Sequence, residues 1–123
     1  MTGVKIEMPG IVFFKTKILE TLTKFYTERI GMETWLQQPG CTVFRKDNLL
    51  VGFCQRDEAE TEGMLTFFFE TAEKVDAVYS ELVDIASGNP TENKKYSIYQ
   101  FFAEDPEGRA LEFQAFLHDV KPL

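Results

Sequence analysis

Histidine is almost missing from this sequence, cysteine is scarce, and no apolar run comes near the length of a membrane span. The single histidine, His118, falls beyond the last predicted strand and reads as a surface residue of the tail, so no nucleophilic triad has a well-placed base. Two cysteines, Cys41 and Cys54, form no CxxC pair and are expected to be buried free thiols rather than a disulfide or a metal pair. Basic residues are also short: 13 Lys and Arg against 20 Asp and Glu leave a net charge of −7, which argues against a nucleic-acid partner, since phosphates need a basic face. A membrane helix needs about 18 consecutive apolar residues, and none is present. The stretch Met1-Thr-Gly-Val-Lys-Ile-Glu-Met-Pro9 lacks the apolar centre of a signal peptide, so a cytoplasmic location is expected. P-loop, GxGxxG and GxSxG signatures are absent as well.

What is there is an ordinary globular composition, 44% hydrophobic and 27% charged, on a chain of 123 residues, suited to a single domain over residues 1–123. Two segments carry helical periodicity. Ile18, Leu19, Leu22, Phe25, Tyr26 and Ile30 share one face of a first helix, with Thr16 as N-cap and Gly31 as its stop. Val75, Val78, Tyr79, Leu82 and Ile85 do the same for a second, with Thr71 as N-cap and Gly88-Asn89-Pro90 as terminator. Strand patterns cover 10–14, 33–37, 42–45 and 49–54 in the first half, and 64–69, 96–103 and 110–116 in the second. Lys46-Asp47-Asn48 turns one hairpin; Asp105-Pro-Glu-Gly108 suits a type I turn in the other. The acidic stretch from Gln55 to Gly63 reads as a solvated linker. The organisation is therefore a repeat of architecture: module one over about 9–55, a linker over about 56–62, module two over about 63–117. The fold class is α+β, two sheets each with one face on its own helix, whose other faces could meet around a cleft.

Two motifs resemble a known family. Phe25-Tyr26-x3-Ile-Gly-Met32 is similar to the FY-x3-LG-[FM] segment that ends the first helix of the vicinal oxygen chelate superfamily, which includes glyoxalase I, the bleomycin-resistance proteins and the extradiol dioxygenases. Asp105-Pro-Glu-Gly-Arg-Ala-Leu-Glu112 resembles its DP-[DE]-G-N-x-[IL]-E signature. The resemblance implies paired βαβββ modules with curved mixed sheets forming a cleft. It also implies that Glu112 stands where metal-dependent members carry a ligand, since their ligands come from the first and last strands of each module. The matching positions here are Ile11, Gly52 and Met64, none an ordinary ligand for a hard or borderline divalent ion. No cofactor is therefore expected; a divalent metal bound by Glu112 is the alternative.

If Leu111, Phe113 and Ala115 face the helix, strand alternation turns Ala110, Glu112 and Gln114 toward the cleft. Ile11, Phe13 and Lys15 would follow on one opening strand, and Met64, Thr66 and Phe68 on the other, with Trp35, Tyr99 and Phe101 as further candidates. The expected lining is thus Glu112, Phe13, Lys15, Phe68, Trp35, Phe101, Met64 and Ile11, apolar and aromatic with few charges, the character of a small-molecule site. Two functions stay open. One is a metal-free binding protein that uses Glu112 as polar anchor and sequesters a cationic or aromatic compound, as the bleomycin-resistance branch does. The other is a glyoxalase- or dioxygenase-like lyase, isomerase or oxygenase in which Glu112 serves as general base or metal ligand. The resemblance also implies a homodimer; no membrane partner is expected.

Overall fold

The structure, a computed structural model, describes Gly3 and residues 5–123, and divides into two compact units, Met1–Glu60 and Thr61–Leu123. The first runs β1 (Val12–Thr16), α1 (Leu19–Glu28), β2 (Glu33–Gln38), β3 (Cys41–Lys46) and β4 (Leu49–Gln55). Its sheet has the order β1-β4-β3-β2, with β1 parallel to β4 and the other pairs antiparallel. The second repeats the plan with β5 (Met64–Phe69), α2 (Ala72–Leu82), β6 (Thr91–Asn93), β7 (Ile98–Glu104) and β8 (Ala110–Phe116), in the order β5-β8-β7-β6. The α+β class and the two βαβββ modules expected from the sequence are present. Strand β6 is new: Thr91-Glu-Asn93 has no apolar alternation to reveal it.

Each helix buries one stripe on its own sheet. In α1 the buried residues are Leu22, Phe25 and Tyr26, and the Tyr26 ring stacks on Phe53 at 5.1 Å and on Phe44 at 6.0 Å. Burying side chains of this size stabilises a fold by about 1.5–3 kcal/mol each relative to exposure. The start of α1 differs from the expectation. Ile18, not Thr16, is the N-cap residue, and it makes no side-chain cap. Thr16 ends β1, where its Oγ1 accepts the Ile18 N–H at 3.0 Å. The capping work falls to Gln55 at the end of β4, whose Oε1 accepts the Leu19 N–H at 2.8 Å while its Nε2 donates to the Lys17 carbonyl at 2.7 Å. A tertiary side chain has replaced the local one, which no local pattern signals. Gly31 closes the helix with φ +81°, letting the Met32 N–H reach the Tyr26 carbonyl at 2.9 Å. In α2, Thr71 is the N-cap as expected, its side chain accepting the Lys74 N–H at 3.3 Å.

One further expectation is corrected. Cys41 and Cys54 are direct cross-strand partners in the β3–β4 hairpin, with Cα atoms 4.1 Å apart, and they form a disulfide rather than two free thiols. So short a Cα separation belongs to the closely approaching positions of an antiparallel ladder, where two side chains meet face to face. The acidic segment after β4 is mostly exposed and its backbone bonds to β1: the Arg56 N–H donates to the Thr16 carbonyl at 2.8 Å, and the Glu60 N–H to that of Lys15 at 2.9 Å. The Glu60 carboxylate accepts the Lys15 N–H at 2.8 Å in return. Backbone groups along edge strand β1 are thereby satisfied by the chain that leaves the sheet. Among the described residues no helix is long and apolar enough to cross a membrane.

Candidate functional site

Glu112 lies midway along β8, and the register decides where it points. It stands opposite Phe102 of β7 and beside Thr66 of β5. Its neighbours Leu111 and Phe113 are buried on the other face, where Phe113 stacks on Phe101 at 4.8 Å and Phe101 meets Tyr79 of α2 edge-on at 5.3 Å. Residues alternate between faces along a strand, so Glu112, Gln114 and Phe116 point away from α2, together with Gln100 and Phe102.

The turn between β7 and β8 holds that register. The Gly108 N–H bonds the Asp105 carbonyl at 3.0 Å, and Gly108 itself has φ +91°, a conformation that favours glycine. The Asp105 carboxylate accepts the N–H groups of Glu107 at 2.8 Å and Arg109 at 3.0 Å. Arg109, 1% exposed, donates from one guanidinium nitrogen to Asp105 at 3.1 Å and from the other to Glu107 at 2.8 Å. A buried ion network thus clamps the hairpin that carries Glu112.

Above this face of module two opens a pocket of about 550 Å³. Met64, Tyr96, Phe102 and Phe116 give it apolar walls; Gln100, Glu112 and Gln114 give it polar ones. Glu112 is 6% exposed, and its Oε1 accepts hydrogen bonds from the Thr66 hydroxyl at 2.8 Å and the Gln114 amide at 3.2 Å. A buried carboxylate is tolerated when it is hydrogen-bonded in this way. The side-chain oxygens of Gln100 and Gln114 are buried and accept no hydrogen bond from the described residues. His118 is exposed, as expected, and also lines the pocket, its ring edge-on to Phe116 at 5.7 Å.

Of the lining anticipated from the sequence, Glu112 and Met64 are at this pocket, and Phe68 adjoins it through an edge-on contact with Phe116 at 5.6 Å. Phe101 is not: it is 2% exposed and belongs to the layer under α2. Tyr99 shares that side, donating from its hydroxyl to Asp76 of α2 at 2.6 Å. Ile11, Phe13, Lys15 and Trp35 belong to module one. There Phe14 stacks on Phe53 in the layer beneath α1, so Phe13 and Lys15 point away from the helix. The Phe13 ring lies over Gly52, its direct partner in the parallel β1–β4 pair. Trp35, half exposed, sits where the β2–β3 register shifts between Thr34 and Leu36. Tyr96, Gln100, Phe102 and Phe116 were not singled out by the sequence; the alternation of β7 and β8 names three of them once the register is known.

At the positions where the resemblance implies metal ligands, the side chains of Ile11 and Gly52 offer no donor atom, and that of Met64 offers only a soft thioether. Among the described residues no three His, Cys, Asp or Glu side chains group as a metal site requires.

No family model matches the chain, and no curated protein does. Solved structures do match. A glyoxalase/bleomycin resistance protein/dioxygenase from Nocardioides superposes with a TM-score of 0.77 at 17% identity, covering 98% of this chain and 91% of that one. An integron cassette protein from the mobile metagenome of the Halifax Harbour sewage outfall gives 0.76 at 24% identity, covering 90% of this chain and 100% of its own. A lactoylglutathione lyase from Agrobacterium tumefaciens gives 0.71 at 17% identity, covering 85% and 90%. At such identities the likeness is one of fold. The chain has the fold of the glyoxalase/bleomycin resistance/dioxygenase proteins, the vicinal oxygen chelate superfamily that its Phe25–Met32 and Asp105–Glu112 motifs resemble.

Proposed function

We propose that the protein binds a small molecule in the module-two pocket, without a metal, using Glu112 as the polar anchor. The observation that carries this reading is the buried Glu112 carboxylate in a pocket of about 550 Å³, a size suited to a small organic ligand. Apolar contact with Met64, Phe102 and Phe116 supplies affinity; the carboxylate, held by Thr66 and Gln114, supplies orientation. Such a division of labour needs no reaction, and the donor set gives no support to a family-type metal centre. The ligand is an aromatic or cationic compound, and sequestration is the activity that follows.

The test is a thermal-shift screen of antibiotics, aromatic compounds and metabolites. Stabilising ligands are expected, with shifts that shrink in Glu112→Gln. Ligands that bind Glu112→Gln as well as wild type would remove the anchor, and a stoichiometric transition metal in protein purified without chelator would overturn the metal-free reading. The assembly proposed is a homodimer. It is supported by the half-exposed apolar side chains Val12, Phe13, Trp35 and Leu36 of module one and Met64 and Phe68 of β5. A monomeric mass by light scattering at micromolar concentration would sink it.

A further inference from the structure

The pocket carries more acceptors than the protein itself satisfies, and they lie together. Gln100 and Gln114 are direct partners across the β7–β8 pair, and Glu112 is two residues from Gln114 on the same face. All three side chains line the pocket, and Gln100 is 8% exposed. The Gln114 amide is fixed in orientation: its Nε2 donates to the Glu112 carboxylate, so its Oε1 is turned away from that carboxylate. That oxygen and the Oε1 of Gln100 are both buried and accept nothing from the described residues. A buried acceptor left unsatisfied is costly, and most native ones have a partner.

We infer that this cluster selects organic cations bearing at least two N–H donors on one nitrogen centre, as in a primary ammonium, an amidinium or a guanidinium. The inference rests on the small-molecule reading above and names the chemistry of its ligand. Only such a group supplies donors to Gln100 and Gln114 and a positive charge to Glu112 in one place. An alcohol has a single hydroxyl donor and no charge; a quaternary ammonium has the charge and no donor; an anion is repelled by the Glu112 carboxylate. The rings of Tyr96, Phe102 and Phe116 accept either the organic part of the ligand or the face of its cation. The net charge of −7 favours the approach of a cation from a distance. Gln100 is then a specificity-determining residue, which neither its strand nor its amino-acid type announces.

Calorimetric titration of the full chain with benzylamine, benzamidine, benzyltrimethylammonium and benzyl alcohol separates the contributions. Benzylamine and benzamidine are expected to bind at least tenfold more tightly than the other two, and Gln100→Leu to weaken them roughly tenfold, the scale of one hydrogen bond to a charged group. The free Gln100→Leu protein should be at least as stable to urea as wild type, because an unsatisfied buried acceptor has gone. Marked loss of stability would assign Gln100 a structural role and overturn the proposal. So would equal affinity for benzylamine and benzyltrimethylammonium, or donor cations that bind Gln100→Leu unchanged. Binding of benzyl alcohol alone, dependent on Glu112, would sink this inference and leave the small-molecule reading standing. If neither these compounds nor the broader screen yields a ligand, both fall.

Discussion

The ring of Phe13 occupies the space where a side chain at Gly52 would stand. Phe13 and Gly52 are partners in β1–β4, as Thr66 and Glu112 are in β5–β8. The two modules thus place different chemistry at one structural position: a hydroxyl holding a carboxylate in module two, an aromatic ring covering a glycine in module one. Adding a Cβ at position 52 drives it into that ring. Gly52→Ala is therefore expected to cost about 1–3 kcal/mol in urea unfolding, the usual scale of overpacking. In a Phe13→Ala background the same change should cost less, because the obstructing ring is gone. A double-mutant cycle with no coupling between the two sites would show that the ring swings aside freely.

Much of this was legible in the sequence, and what was not turns on single residues. The helices were read from their apolar stripes because a helix buries a periodic face whatever it packs on. The disulfide was within reach: a two-residue turn at Asp47-Asn48 sets Cys41 opposite Cys54, but the free-thiol expectation looked to cysteine spacing and not to the hairpin register. Phe101 shows the opposite case. A two-residue turn at Pro106-Glu107 would set Phe101 opposite Glu112. The actual loop includes Gly108 in a left-handed conformation, which moves the register by one and sets Phe102 there instead. A slip of one residue exchanges the two faces of a strand, so one glycine decided which aromatic reached the pocket.

The Cys41–Cys54 bond closes a short loop, with a sequence separation of 13. Chain-entropy arguments give a loop of this size about 3 kcal/mol of stabilisation at most, less where the hairpin already holds the ends together. Thermal melts with reductant should shift down, and Cys41→Ala/Cys54→Ala should melt at the reduced position and ignore reductant. Thiol alkylation of the unfolded, unreduced protein should label nothing; two labelled cysteines would show that the bond is not formed.

Arg109 contributes to the site through the hairpin rather than through the pocket. Its guanidinium joins Asp105 and Glu107 in a buried network, and removing one member leaves charge behind in the interior. Arg109→Met should cost about 3–5 kcal/mol, the range for breaking a buried pair from one side. The paired change Asp105→Asn with Arg109→Met should recover part of that loss. If Arg109→Met unfolds at the same urea concentration as wild type, the clamp contributes nothing and the turn alone holds the register.

Alkaline pH probes the contact between β7 and α2. The Tyr99 hydroxyl donates to Asp76 at 2.6 Å. This hydrogen bond first, then desolvation and the charge of Asp76, raise the phenol above its ordinary value of 10.0. A phenol whose folded value is raised adds stability that is fully present below the unfolded value and is lost as pH rises through the folded one. The advantage of wild type over Tyr99→Phe in urea unfolding should therefore be constant at neutral pH and shrink above the ordinary tyrosine range. The difference in phenolate absorbance between wild type and Tyr99→Phe should show the Tyr99 phenol titrating above 10.0, and Asp76→Asn should bring it down. An advantage of wild type that persists undiminished at high pH, or a Tyr99 phenol that titrates at 10.0, would break the link between this hydrogen bond and the packing of α2 on its sheet.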